Sequence, residues 1–286
     1  MMSKRGLFVM FFFLVVFSLA FLYIKDKDLF VDEQVHYLQI KRFMQGDFGV
    51  YDIITVIPGY HYFLSFFGKM FNFSNEFEIR FLNTIVGMVS VSIFLMLAVK
   101  IHGNCGFVKG LQYGFFPILF PFFFLIYTDV LSLLLVLLML YFVLIRKYNI
   151  AGILGILSFF VRQNNVVWIL FIFGLIYFDR YGMKADIKGA GKVLRDCWIF
   201  VLGLLIAAGF FALNRGFAIG DREMHNGGIF TANVFFLLFL FFFLFLPLNV
   251  SNLFKIKEFV KRNSWVWLLL IGVFIIYMKF FIVNHP

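Results

Sequence analysis

Charged residues are scarce here, at only 14% of 286 positions, against about 25% in soluble domains. That shortage excludes an ordinary soluble globular domain and a disordered chain. Two cysteines, Cys105 and Cys197, are too few for a disulfide framework or a zinc site. No G-x-x-x-x-G-K-S/T loop and no strand–G-x-G-x-x-G–helix unit occurs, and no polar stretch is large enough to hold a sugar nucleotide. An ATP-driven pump and an enzyme using a nucleotide-sugar are therefore excluded. The basic excess of 25 Lys and Arg over 15 Asp and Glu is read by its distribution across a membrane, and no nucleic-acid partner is expected.

What the chain has instead is apolar surface. It is 63% hydrophobic and 22% aromatic, with a mean hydropathy of +0.97. This composition predicts an all-α, polytopic membrane bundle, a single domain over 1–286. A basic start precedes a first span at 6–24, which exits into Lys25-Asp26-Lys27-Asp28 with no small-residue cleavage site. Residues 25–82 are too charged to cross a bilayer and too aromatic to be a free loop, so helices lying on the membrane surface are expected there. The rest, 83–286, carries spans at 83–99, 111–128, 129–145, 149–161, 165–178, 197–213, 229–248 and 265–283, making nine in all. With the N-terminus cytoplasmic, fifteen of the 25 basic residues fall in cytoplasmic segments, beside Asp179, Asp186, Asp196 and Glu258 alone. The opposite side is nearly neutral, in agreement with the positive-inside rule.

The non-cytoplasmic ends collect Asp32, Glu33, His36, Asp52, Arg80, Asp129, Arg162-Gln163-Asn164-Asn165, Asp221, Arg222, Glu223, His225 and His285. Acids, an embedded Arg and His above an apolar body suit a site that takes a lipid-held substrate. Each has a plainer reading. Asp32-Glu33 can be a solvated helix start. Asp129 and Arg162, flanked by long apolar runs where ionisable groups are costly, can pair with each other to hold helices together. His36 and His225 can be interfacial hydrogen-bonders. The Phe runs at 11–13, 122–124 and 241–243 are packing or lipid-facing surface. Gly110, Gly152 and Gly155 allow close helix approach.

The polar stretches also resemble a known family. Val31-Asp32-Glu33-Gln34-Val35-His36 resembles the M-D-E-x-F-H of the eukaryotic dolichyl-phosphate-glucose α-1,2-glucosyltransferases. These enzymes add the last glucose to the lipid-linked oligosaccharide used in protein N-glycosylation. Tyr51-Asp52-Ile53-Ile54-Thr55-Val56-Ile57-Pro58-Gly59 is similar to W-D-P-K-I-T-T-P-P-G, with Val56 and Ile57 at small or Pro positions. Tyr127-Thr128-Asp129-Val130 matches Y-T-D-V, and Arg162-Gln163-Asn164-Asn165-Val166-Val167-Trp168 resembles R-Q-T-N-I-V-W. Gly220-Asp221-Arg222-Glu223-Met224-His225 resembles G-D-R-S-x-H, and His285-Pro286 the start of H-P-x-L-L-A-D-N-R-H-Y. Six motifs in the family's order are a specific signal. The family continues beyond the point where this sequence stops, so a C-terminal segment is expected to be missing.

The resemblance implies a GT-C-like bundle with a long first luminal loop carrying an active-site acid. It implies a dolichyl- or polyprenyl-phosphate glucose donor, a lipid-linked oligosaccharide acceptor and a single inverting displacement. Asp32 is then the expected base, assisted by Glu33. Arg162, Arg222 and His225 are candidates for the donor phosphate. His36, Asp52, Tyr127, Asp129, Gln163, Asn165 and Asp221 would hold sugar hydroxyls or orient the cations. No cofactor and no metal site is expected, although carboxylates on one face leave Mg²⁺ or Mn²⁺ open. The location is a multi-pass membrane, that of the endoplasmic reticulum in a eukaryote or the plasma membrane in a prokaryote. A lipid-linked-sugar transporter or an inactive scaffold subunit are the alternatives.

Overall fold

The computed structural model describes residues 4–182, 187–220 and 231–280, and every regular element among them is helical. The chain forms two compact units, 1–226 and 227–286. The first unit holds α1 (Lys4–Ile24), α2 (Val31–Met44), α3 (Gly59–Met70), α4 (Glu76–His102), α5 (Gly106–Gly114), α6 (Thr128–Leu144), α7 (Tyr148–Val161), α8 (Val166–Tyr181), α9 (Ile187–Asp196) and α10 (Trp198–Asn214). In the second, α11 (Thr231–Leu244), α12 (Leu246–Ser251), α13 (Leu253–Arg262) and α14 (Trp265–Phe280) follow. There α11 packs on α14 through Phe235 and Tyr277. The basic, amphipathic α13 turns through 103° before α14.

Two helical stretches among the described residues are long and apolar enough to cross a membrane, Lys4–Ile24 and Glu76–Gly114, and the bent α13–α14 pair makes a third if it is one span. The other apolar helices have 10–17 residues, short of the ~20 that a 30 Å hydrocarbon layer requires. This is a helical membrane protein. Residues 25–82 form two helices, α2 and α3, as the aromatic and charged mixture predicts, and α4 starts at Glu76, seven residues before the expected boundary.

The expected helix at 111–128 does not form. The helix reverses direction at the short 3₁₀ turn Gly103–Cys105. α5 then packs back along α4, with the Ser90 and Tyr113 hydroxyls 2.6 Å apart and Phe94 stacked on Tyr113 at 4.1 Å. Residues 115–127 are turns and one 3₁₀ segment. Pro117 and Pro121 are the cause: each lacks an N–H and clashes with the carbonyl four residues earlier. Broken backbone at membrane depth must be shielded by protein. Here Phe123, Phe124, Leu125 and Ile126 are buried, and Asn83 Nδ2 donates to the Phe122 and Leu125 carbonyls at 3.0 and 2.6 Å. The polypeptide nonetheless returns to the α2 end, where Ile126 meets Glu33.

α4 packs against α1, α5 and α6, and α7 lies between α6 and α10. One apolar core gathers Phe13, Phe17, Tyr60, Ile79, Phe123 and Val130; a second gathers Met139, Ala151, Phe159, Ile169 and Phe200. Gly152 lets α7 lie directly on Ile199 of α10. The Phe runs are packing and outer surface as expected: Phe13 and Phe123 are buried, while Phe11 and Phe241–Phe243 are exposed.

Candidate active site at the ends of the helices

The first turn of α2 organises this end of the molecule. Glu33 is fully buried, and so is Arg80 on α4. Arg80 Nε and Nη2 donate to the two Glu33 oxygens at 2.7 Å each. The remaining guanidinium hydrogens go to the carbonyls of Ile24, Lys27 and Asp28 at 3.0, 2.6 and 3.0 Å. An arginine has five N–H donors, and all five are placed. The Glu33 carboxylate also accepts from Ile126 N at 3.0 Å and Phe30 N at 3.2 Å. A buried pair is tolerable only when such bonds satisfy every donor and lone pair. The pair joins the end of α1, the start of α2, α4 and the segment entering α6.

This gives Glu33 a different place from Asp32 beside it. Asp32 is exposed and lines a cleft of about 500 Å³ together with Val35, His36, residues 53–56, Phe122, Tyr127, Thr128, Asp129 and Arg162. Asp32 makes no hydrogen bond or salt bridge among the described residues. Asp129, in the first turn of α6, accepts from Arg162 Nη1 at the end of α7. Their side chains stay 40% and 29% exposed, so this pair faces the cleft, unlike Glu33–Arg80, which is closed off. Among the described residues one of the five Arg162 donors is used, which leaves the others to a ligand in the cleft.

Gln163 and Asn165 are buried supports. Gln163 accepts from Ile57 N at 3.2 Å and donates to the Thr55 and Phe217 carbonyls at 2.9 and 3.0 Å. Asn165 donates to Ser132 Oγ at 2.7 Å and Ser158 O at 2.9 Å. Buried Gln39 of α2 holds the other end of the loop, accepting from Tyr51 N at 2.8 Å and donating to Gly49 O at 3.0 Å. Asp52 is exposed beside the cleft and does not line it. Its carbonyl abuts Gly220, whose N–H donates to Ile54 O at 3.1 Å. A Cβ at Gly220 would collide with the Asp52 carbonyl, and one at Gly59 with the Phe160 carbonyl. Both glycines of the matching motifs are thus close-approach positions. Asp221, Arg222 and His225, of the same motif as Gly220, lie outside the described residues. His285-Pro286 is also outside the described residues.

The sequence left two site-wall residues without a role. Tyr60 and His61, in the first turn of α3, are fully buried. His61 Nε2 lies 2.9 Å from His36 Nδ1. The buried stripe of α3 (Tyr60, His61, Leu64, Ser65, Gly68) has helical spacing, and that periodicity could have placed His61 inside. Burial lowers both histidines below their ordinary value, most strongly His61; Asp32, Asp129 and Glu33 pull His36 back up and Arg162 pushes it down. The unfolded chain takes up these protons near about pH 6.5, and the folded chain only at lower pH. The unfolded state therefore binds more protons as pH falls, and stability present above about pH 6.5 is lost below it. Thermal melting in detergent is expected to shift downward through that range, and His61→Gln is expected to flatten the slope. A wild-type melting temperature independent of pH there would contradict two neutral buried imidazoles. Among the described residues no three His, Cys, Asp or Glu side chains converge to hold a metal ion.

A sequence model described as the DIE2/ALG10 family matches residues 26–187 and 178–286. Similar proteins include one from Candida albicans, 29% identical over 235 residues, covering 74% of this chain and 51% of its own length. Another, from Debaryomyces hansenii, is 27% identical over 251 residues, covering 78% and 54%. A human protein is 23% identical over 296 residues, covering 84% and 61%. All three are named Dol-P-Glc:Glc(2)Man(9)GlcNAc(2)-PP-Dol alpha-1,2-glucosyltransferase. The chain spans about half the length of the curated relatives it matches first. No solved structure matches.

Proposed function

The chain belongs to the DIE2/ALG10 family, and we propose that it moves glucose from dolichyl- or polyprenyl-phosphate glucose to a lipid-linked oligosaccharide, inverting the β-linked donor into an α-1,2 product. In this reading the protein is a GT-C-like bundle of nine spans. The crossing at 111–128 is made by α5 and the irregular segment after it. The site faces the lumen of the endoplasmic reticulum. The observation that carries the reading is the cleft itself: Asp32, His36, Tyr127, Asp129 and Arg162, from three separate motifs, line one space at one end of the helices.

The chemistry follows from the residues. The acceptor hydroxyl oxygen attacks the anomeric carbon, and the bond from that carbon to the phosphate oxygen breaks. The hydroxyl proton passes to the Asp32 carboxylate, which has no other hydrogen-bond partner among the described residues. Negative charge grows on the departing phosphate and is met by the Arg162 donors that Asp129 leaves open. Asp129 keeps that guanidinium in place. Arg222 and His225 are assigned to the same phosphate, and Asp221 and Asp52 to sugar hydroxyls or to orienting the cations; His36 and Tyr127 contact sugar. Glu33, Gln163 and Asn165 hold the wall and do not touch substrate.

The test is transfer by the purified full chain given polyprenyl-phosphate glucose and a glucosylated lipid-linked acceptor. An α-1,2-linked product supports the reading. Absence of transfer, or movement of donor between leaflets without transfer, overturns it.

A further inference from the structure

α13 carries Lys255, Lys257, Glu258, Lys261 and Arg262 among its ten residues, and none of its side chains is buried. So many ionisable groups in so short a helix do not enter hydrocarbon. α14 begins two residues later and is apolar throughout Trp265–Phe280, with Lys279 as its single charge. The two axes meet at 103°. A segment as apolar as α14 runs across a bilayer, tilted by about 20° on average. A helix at 103° to it therefore lies close to the plane of the membrane surface. Trp265 and Trp267 set the level of the turn: both are exposed, and tryptophan gathers at the headgroup boundary.

The order of residues on α13 fits that plane. At about 100° per residue, Leu253, Ile256, Phe259 and Val260 share one side of the helix. Lys255 and Arg262 flank that side along one edge, and Lys257 and Lys261 along the other. Glu258, the single acid of α13, falls opposite the apolar side, next to Phe254. Among the described residues the four basic groups have no ion-pair partner. We propose that α13 is an interfacial helix that binds anionic phospholipid in the cytoplasmic leaflet. Its apolar side enters the acyl boundary, its two basic edges meet lipid phosphates, and its carboxylate points to water. Charge selects this occupant. A second copy of the helix would set basic edge against basic edge, and a neutral lipid surface would leave four cations unanswered. The basic excess beside a span selects the cytoplasmic side. None of this depends on glucose transfer.

The experiment attaches a spin label to the full chain at Ile256→Cys, Val260→Cys or Glu258→Cys, one at a time. The background is Cys105→Ser, which removes the exposed native thiol. The protein is placed in nanodiscs of phosphatidylcholine, or of equal parts phosphatidylcholine and phosphatidylserine. Collisions with oxygen, which concentrates among acyl chains, and with a water-soluble nickel chelate read the depth of each label. The labels at 256 and 260 are expected to favour oxygen, and the label at 258 nickel. In phosphatidylserine discs the labels at 256 and 260 are expected to lie deeper than in phosphatidylcholine. That gain is expected to be lost in high salt, which screens exposed charge, and in the variant combining Lys255→Gln, Lys257→Gln, Lys261→Gln and Arg262→Gln. Three results overturn the proposal. Labels open to nickel on every side would show α13 standing in water. Labels at 256 and 260 closed to both reagents would show protein covering the apolar side. Equal depth in the two kinds of disc would show that anionic lipid is not bound.

Discussion

Replacing Arg80 by Met is expected to cost about 3–5 kcal/mol of stability, the scale for breaking a buried ion pair by removing one partner. In practice the variant should be recovered largely misfolded, with a sharply lowered melting temperature. The size follows from what is left behind. Glu33 would remain buried with two of its four hydrogen bonds gone, and the Ile24, Lys27 and Asp28 carbonyls would lose their donor. Removing both charges with Glu33→Gln and Arg80→Met together is expected to recover only part of the loss, because those three carbonyls still face nothing. A double variant as stable as wild type would show that the carbonyl contacts contribute little. A single Arg80→Met variant that melts with the wild type would refute the pair as the anchor of this end.

Asp32→Asn is expected to do the opposite: to reduce transfer by about 10²-fold or more, the scale for losing a general base, while leaving the fold intact. The side chain keeps its size, is exposed, and bonds to no other described residue, so the change in stability should stay below about 1 kcal/mol, the helix-terminus contribution of a carboxylate. Binding of the donor should change little, since Arg162 and not Asp32 is assigned to the phosphate. Adjacent residues thus separate cleanly. Asp32→Asn loses rate at constant melting temperature, whereas Glu33→Gln loses melting temperature first. Rates equal to wild type in Asp32→Asn would remove this carboxylate from the mechanism.

Most of the helices were legible because long apolar runs leave a chain few alternatives. α1, α6, α7, α8 and α10 fall within a few residues of the spans read from hydropathy. The stretch 111–128 was misread because its hydropathy is high throughout while Pro117 and Pro121 deny it a helix; apolarity decides whether a segment enters the bilayer, and the backbone decides its shape. In the site, motif order rightly brought Asp32, His36, Tyr127, Asp129 and Arg162 to one place. It did not separate residues that line the cleft from those behind it. Glu33 was grouped with Asp32 because they are neighbours in sequence, yet successive helix positions point about 100° apart, and one faces Arg80 while the other faces solvent. Gln163 and Asn165 likewise take their roles from Thr55, Ile57 and Ser132, partners that no local pattern reveals. His61 was missed for the same reason, since its significance lies in its contact with His36, 25 residues earlier.

The Glu33–Arg80 cluster also constrains how the protein is made. Its members come from Ile24, Lys27, Asp28, Glu33, Arg80 and Ile126, so it cannot close while the ribosome has yet to deliver residue 126. Until then Glu33 and Arg80 can pair, but the cluster lacks its last donor, the Ile126 N–H, and the segment entering α6 is not yet tied to the start of α2. Assembly of this protein accordingly has a late locking step set by chain elongation, and a pause in translation shortly before residue 126 would prolong the interval in which the nascent chain is open to quality-control proteases.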